Sequence, residues 1–271
     1  MDLFQTIIIA IVEGLTEFLP VSSTGHMIIT QHLLGVEQGN PFVHAFTFII
    51  QFGAILSVVC LYWKKFFSFK PEMWKLYGLL IIGVLPIVVV GLAAKRSGLL
   101  DWLLDSIWVV AITLVLGGIF MLFCDNIFNK GREENGVTPK RAFLIGLFQC
   151  LSLIPGMSRS MSTIVGGMAN KLTRKNAAEF TFFLAVPTMA GATILDVHDM
   201  MNENVDWATS NNLFLLGIGC VVSFVVALFA MKWFVNVLTK YGFKAFGWYR
   251  IIVGIILLVM LLSRVSLNMV D

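Results

Sequence analysis

Six stretches of mostly apolar residues, at about 42–63, 76–94, 106–124, 179–195, 212–231 and 249–264, dominate this 271-residue chain. A helix needs about 20 such residues to cross the hydrocarbon of a bilayer. Within lipid, every backbone N–H and C=O must find a partner inside the structure, so an apolar run of this length can only be a helix. The expected fold class is therefore an all-α polytopic membrane protein with six transmembrane helices. Composition agrees: 58% of residues are hydrophobic and 13% charged, the mean hydropathy is +0.87, and a soluble domain carries about 25% charged residues. The formal net charge of +3, with no long basic run, points away from a nucleic-acid partner. Cys60, Cys124, Cys150 and Cys220 lie in or beside apolar stretches without metal-ligand spacing and read as small hydrophobes. The start, Met1-Asp2-Leu3, lacks the basic region and cleavage site of a signal peptide, so these residues are expected to remain on the mature chain.

Two further apolar runs are too short to span. Residues 3–12 stop at Glu13 and Glu17, and residues 142–154 stop at Pro155, before Ser158-Arg159-Ser160. Each is followed by a Pro/Ser/Gly break and a second short helical stretch, at 24–35 and 161–171. A helix, a break and a helix that together do not cross read as a re-entrant hairpin. Irregular backbone at membrane depth is tolerated only where protein or a water-filled cavity satisfies it, so both breaks are expected at a functional cavity.

The two hairpins also resemble each other. Glu13-Gly-Leu-Thr…Leu19-Pro20-Val-Ser-Ser23 is similar to Gln149-Cys-Leu-Ser…Ile154-Pro155-Gly-Met-Ser158, and downstream Phe46-Thr-Phe-Ile-Ile50 is similar to Phe180-Thr-Phe-Phe-Leu184. Two spans separate the copies, so 42–63 and 179–195 run in opposite senses, an inverted-topology repeat of the kind that places sites near the membrane midplane. The boundaries read as a single integral domain, 1–271, with repeat 1 at about 1–95, repeat 2 at about 139–231 and a final helix at about 249–264. The positive-inside rule puts Lys64–Lys75, Lys130–Arg141 and Lys232–Lys244 in the cytoplasm. The loop 196–211, with four acids and no Lys or Arg, then falls outside together with both termini, while Lys95-Arg96 runs against the rule.

The chemistry-bearing residues sit in the breaks. Glu13 and Glu17 are four apart and share a helix face. Two like charges in an apolar stretch call for a cation, a shared proton or solvation at the surface; a Mg²⁺ or Ca²⁺ site with oxygen ligands and a general acid/base pair both suit them. Ser22, Ser23, Thr24 and His26 follow Pro20; hydroxyls beside a histidine serve nucleophilic catalysis or, equally, cap a helix. In Pro155-Gly156-Met157-Ser158-Arg159-Ser160-Met161-Ser162-Thr163, Gly156 permits a tight turn and the amides of a helix beginning near Ser158 can face an anion. Ser158, Ser160 and Thr163 add donors, and Arg159 supplies an always-charged planar fork for phosphate. No G-x-x-x-x-G-K-[ST] loop occurs. His32, His44 and His198 read as structural or interfacial, and Gln51 as a cavity-lining residue or a helix–helix hydrogen bond.

Glu13-Gly-Leu-Thr-Glu17-Phe-Leu-Pro-Val-Ser-Ser-Thr-Gly-His26 and Pro155-Gly-Met-Ser-Arg-Ser-Met-Ser-Thr163 resemble the two signature motifs of the bacterial undecaprenyl-diphosphate phosphatase family of the bacitracin-resistance type. Length and hydropathy match along the whole chain, with no departure in either motif. The resemblance implies an enzyme that removes the terminal phosphate of undecaprenyl diphosphate and so recycles the lipid carrier for peptidoglycan. It implies a divalent cation, Mg²⁺ or Ca²⁺, with Glu13 and Glu17 as ligands. Carried over residue by residue, Glu13, Glu17, Ser23, His26, Ser158, Arg159 and Thr163 are the implied functional set; together with the reading of the two breaks above, Glu17, Ser23, His26 and Arg159 are the expected catalytic residues, and Ser22, Gly156, Ser158, Arg159, Ser160 and Thr163 the expected substrate-binding residues. It further implies a multi-pass protein of the bacterial plasma membrane, a site opening to the extracytoplasmic face, and a homodimer. The rival reading from architecture alone is a transporter or lipid flippase with a central anion site.

Overall fold

The structure is a computed structural model that describes residues 1–37, 40–68, 70–104, 106–128, 130–202, 208–263 and 267. Among the described residues every regular element is helical. Six helices are long and apolar enough to cross a membrane: α3 (Pro41–Leu61), α5 (Pro71–Arg96), α7 (Ile107–Phe128), α10 (Arg174–Asn202), α11 (Ser210–Tyr241) and α12 (Lys244–Leu262). They coincide with the six apolar stretches, and several extend beyond them. α11 continues through Lys232 and Lys240, and α10 begins at Arg174 and runs past Asp196, where the apolar pattern suggests connections. Hydropathy marks only the length suited to lipid, whereas helix propagation continues as long as backbone bonds can form. Glu203 and Asp206 of the expected acidic loop, and the last residue of the expected final span, lie outside the described residues.

Each of the two short apolar runs forms a helix, a break and a second helix. The first pair is α1 (Leu3–Thr16) and α2 (Ser23–Leu33). The second is α8 (Pro139–Gln149), which tightens into a 3₁₀ turn over Cys150–Leu153, and α9 (Arg159–Ala169). Both pairs are tied at their open ends by a side-chain amide. Gln5 Nε2 donates to the Leu34 carbonyl at 3.0 Å, and Asn135 Nδ2 to the Lys171 carbonyl at 2.9 Å. A capping box between Asp2 and Gln5 starts α1, and Thr138 caps α8. The remaining helices α4 (Trp63–Phe66) and α6 (Leu99–Leu104) are short connectors.

α1 packs against α11, α8 against α5, α3 against both α10 and α11, and α7 against α12. Glycine permits the close approaches. A Cβ on Gly53 of α3 would collide with the Cys220 backbone of α11, and one on Gly14 of α1 would stand 2.7 Å from the Ser223 carbonyl. Small residues at such crossings let backbones touch where lipid supplies no hydrophobic drive between helices. An aromatic ladder backs the first break: Phe18 meets Phe182 edge-on, Phe182 meets Phe234, and Phe234 meets Phe246, joining α10, α11 and α12.

At the end of α7, Asp125 gathers three segments. Its Oδ1 accepts from Arg174 Nη2 at 2.8 Å and Nε at 2.9 Å, and its Oδ2 accepts from the Phe243 N–H at 2.7 Å. Gly242 makes that turn with φ +72, and a Cβ there would strike the Asp125 carboxylate. Asp125→Ala strands a partly buried guanidinium and a buried amide, and should lower stability by about 1.5–3 kcal/mol. The check is the thermal midpoint of the detergent-solubilised protein. Arg132→Ala, which breaks a 3.5 Å pair with Glu134 whose side chains are both mostly exposed, should leave that midpoint unmoved.

Candidate active site at the meeting of the two breaks

The two breaks share one backbone conformation. Ser22 has φ 69, ψ 103 and Ser158 has φ 69, ψ 114, and each sits at the N-cap of the second helix of its pair. Positive φ at a non-glycine residue is strained and persists only where the surroundings enforce it. Matching Ser22 to Ser158 sets Ser23 against Arg159, His26 against Ser162 and Glu13 against Gln149, a register without the one-residue gap that sequence likeness suggests between Pro20 and Pro155. Matched hydrogen bonds support this register. His26 Nδ1 lies 2.7 Å from the Ser22 carbonyl, and Ser162 Oγ donates to the Ser158 carbonyl at 3.0 Å, each bond reaching four residues back.

One buried side chain holds both breaks. Arg250 of α12 is fully buried. Its Nη1 donates to the Pro20 carbonyl at 3.2 Å and the Met157 carbonyl at 3.1 Å; its Nη2 donates to the Gly156 carbonyl at 2.8 Å and the Thr113 carbonyl at 3.1 Å. Thr113 Oγ1 adds a bond to the Pro155 carbonyl at 2.6 Å. Gly156, at φ +83, has no room for a side chain between Thr113 and the Val110 backbone. Sequence reasoning missed Arg250; the available signal was an arginine inside the last apolar stretch, a placement that needs partners.

Held together in this way, the breaks bring residues from both motifs into contact. Glu17 Oε1 accepts from Arg159 Nη2 at 3.1 Å, and Glu17 Oε2 accepts from Ser23 Oγ at 2.7 Å. The Glu17 and Arg159 side chains are only 8% and 11% exposed, which marks an ion pair largely removed from solvent. Arg159 also lies over the Phe18 ring, with its guanidinium carbon 5.9 Å from the centroid. Its Nη1 is buried with no hydrogen-bond partner.

The other expected residues fall into two groups. Ser160 donates to the Phe18 carbonyl at 2.6 Å and so joins α9 to the first break. Thr163 bonds back to the Arg159 carbonyl at 2.9 Å, and Ser158 Oγ accepts from the Met161 N–H at 3.3 Å as a cap. These hydroxyls hold the scaffold. Ser22, by contrast, makes no side-chain cap, so the first amides of α2 have no side-chain acceptor. His26 does not meet Ser23; its Nε2 lies 2.8 Å from the Tyr249 hydroxyl of α12. The proximity of Ser23 and His26 in sequence suggests a pair, but Glu17 takes the serine and Tyr249 the imidazole.

Glu13 is fully exposed to neither water nor a donor: it is 0% exposed, and both of its carboxylate oxygens lack a hydrogen-bond partner. A buried carboxylate in that state must acquire a proton or a cation. Among the described residues no three His, Cys, Asp or Glu side chains converge. Two carboxylates one helical turn apart nevertheless suit a hard cation that takes its other ligands from water and substrate phosphate, the habit of Mg²⁺.

A model of the family described as bacitracin resistance protein BacA matches residues 6–256. The chain belongs to the BacA family. Among its relatives, the undecaprenyl-diphosphatase of Porphyromonas gingivalis is 51% identical, with 98% of this chain and 99% of the relative covered. That of Flavobacterium psychrophilum is 49% identical over 95% of each, and that of Bdellovibrio bacteriovorus is 43% identical over the full length of both. With six helices of spanning length, this BacA-family chain is a multi-pass membrane protein. Arg250→Lys offers one point charge where five carbonyls, that of Leu114 at 3.5 Å among them, meet a planar fork. The substitution should lower stability by about 3 kcal/mol, since several buried acceptors lose their donor, and reduce turnover at least about a hundredfold, read from thermal midpoints and phosphate release on the same preparation.

Proposed function

We propose that this chain hydrolyses undecaprenyl diphosphate to undecaprenyl phosphate and inorganic phosphate, recycling the lipid carrier of wall synthesis and thereby conferring bacitracin resistance. The observation that carries the reading is the buried contact of Ser23 and Arg159 through one carboxylate, Glu17. It stands where two broken helices meet, in a chain whose relatives are named for this reaction.

Phosphoryl transfer asks mainly for positioning and for cationic groups around the charged oxygens. Arg159 keeps one Nη without a partner, and the first turn of α2 presents amides without a side-chain cap. Together they offer a charged fork and a helix N-terminus to the diphosphate. The Ser23 hydroxyl already gives its hydrogen bond to Glu17. In this reading Ser23 Oγ attacks the terminal phosphorus, its proton passes to Glu17, and the bond to the bridging oxygen breaks to release undecaprenyl phosphate. Water then cleaves the phosphoserine to free inorganic phosphate. Glu13, together with Glu17, would hold a divalent cation, which would supply positive charge beside the phosphate. The orphaned Glu13 oxygens support that assignment, and two carboxylates favour Mg²⁺ over the six to eight oxygens that Ca²⁺ prefers.

The same reading makes α1–α2 and α8–α9 re-entrant hairpins of an inverted repeat, entering the bacterial plasma membrane from opposite faces. The common backbone of Ser22 and Ser158 and the reciprocal packing of α1 on α11 and α8 on α5 support it. The basic segments at the ends of α3, α7 and α11 then face the cytoplasm, and the α1–α2 break opens to the extracytoplasmic side. A homodimer completes the proposal, on the family resemblance alone.

Purified protein in detergent should release phosphate from undecaprenyl diphosphate in the presence of Mg²⁺, with loss of activity on chelation. Arg159→Ala and Glu17→Gln should each reduce kcat/KM by about a hundredfold to a thousandfold, the scale set by removing one charge-stabilising group. Binding of the lipid with no phosphate release under any cation would overturn the reading.

A further inference from the structure

His26 has a partner on each ring nitrogen. A backbone carbonyl accepts hydrogen bonds and cannot donate them, so the Ser22 carbonyl 2.7 Å from Nδ1 places the proton on Nδ1. Nε2 is then the basic atom of the neutral ring, and the Tyr249 hydroxyl, 2.8 Å away, donates to it. The two rings are nearly parallel, at 9° with centroids 5.4 Å apart. Tyr249 comes from α12, next to Arg250. One helix, α12, therefore supplies both the anchor of the two breaks and the hydroxyl on His26.

We infer that Tyr249 is the proton partner of His26, and that protons reach and leave Nε2 through its hydroxyl. The inference rests on the proposed phosphatase reaction, in which His26 Nε2 takes, by way of the Tyr249 hydroxyl, the proton of the water that cleaves the phosphoserine, and phosphate release supplies its readout. The exchange balances. A proton arriving on the tyrosine oxygen displaces the hydroxyl proton to Nε2, and the imidazolium then donates to a neutral tyrosine; the reverse sequence restores the resting pair. Tyr249 lies near the start of α12 and is 45% exposed, whereas His26 is partly buried. The half-exposed tyrosine would thus connect a partly buried imidazole to its surroundings.

The charged and titratable side chains on the elements around α2 are Glu13 of α1 and Glu17 just after it, His44 and Cys60 of α3, Cys124 and Asp125 of α7, and Lys244, Tyr249 and Arg250 of α12. Of these, Tyr249 alone hydrogen-bonds the imidazole, and the Arg250 charge also acts on it. Because the hydroxyl donates to the neutral ring, removing it favours the protonated ring.

The test is phosphate release from undecaprenyl diphosphate across pH by wild type, Tyr249→Phe, His26→Ala and the double variant. Tyr249→Phe keeps the ring and loses the hydroxyl. The expected result is a kcat about tenfold to a hundredfold lower, within the range for general acid–base catalysis, with KM changed less than about threefold. The acid limb of its kcat profile should move to higher pH, and the double variant should be no slower than the slower single variant. A second measurement covers misfolding of the phenylalanine variant: 3,5-difluorotyrosine placed at position 249 keeps the hydroxyl, makes it a stronger donor, and should move the acid limb to lower pH. A wild-type kcat and profile in Tyr249→Phe, additive losses in the double variant, or an unmoved limb with difluorotyrosine each overturn the inference. If the wild type itself releases no phosphate, the phosphatase reading fails instead, and the two failures are told apart.

Discussion

A helix interrupted inside an apolar protein exposes carbonyls that no water can reach, and the cost of leaving one buried and unpaired is about 1–3 kcal/mol. Two interruptions meet in this molecule, and Arg250 satisfies both. Among the described residues no carboxylate pairs with its guanidinium; five carbonyls from three segments take that place. The planar five-donor fork is the one side chain whose geometry reaches so many acceptors at once. Once the carbonyls of Pro20, Gly156 and Met157 converge on it, Ser22 and Ser158 are held at positive φ, and the residues that follow them are fixed on facing helix starts. The contact of Glu17 with Arg159 is a consequence of that convergence.

Much of this was legible in the chain. The spans could be read because lipid admits so few backbone structures, and the breaks because proline and serine interrupt runs that are too short to cross. Helix ends were less legible: α11 passes through Lys232 and Lys240 because charge at a membrane surface does not oppose helix formation. The partners of His26 were not legible at all. Ser23 is its neighbour in sequence and on the helix, yet the imidazole turns to the carbonyl one turn back and to a tyrosine 223 residues away. Arg250 was passed over for a related reason. It lies at the edge of an apolar run, where an arginine ordinarily reaches for the interface, and only the packing of α12 on α7 directs it inward.

The register of the two breaks bears on how one scaffold divides its chemistry unequally between its halves. With Ser22 matched to Ser158, Gln149 occupies the place of Glu13. Gln149 is hydrogen-bonded to Thr188 at 3.3 Å, whereas neither oxygen of Glu13 has a partner. Ser162 occupies the place of His26 and makes the same backward bond, but it carries no second nitrogen to reach outward. Arg159 stands where the first break has Ser23. At two of the matched positions, Glu13/Gln149 and Arg159/Ser23, one copy carries a side chain whose hydrogen bonds are made and the other a group with an unpartnered atom. The second break stabilises the junction through Ser160 on the Phe18 carbonyl and contributes a single reactive group, Arg159. The unsatisfied atoms of Glu13 and Arg159 are therefore better explained by function than by imperfect packing, since the same backbone in the partner copy shows that each position can be occupied by a side chain with nothing left over.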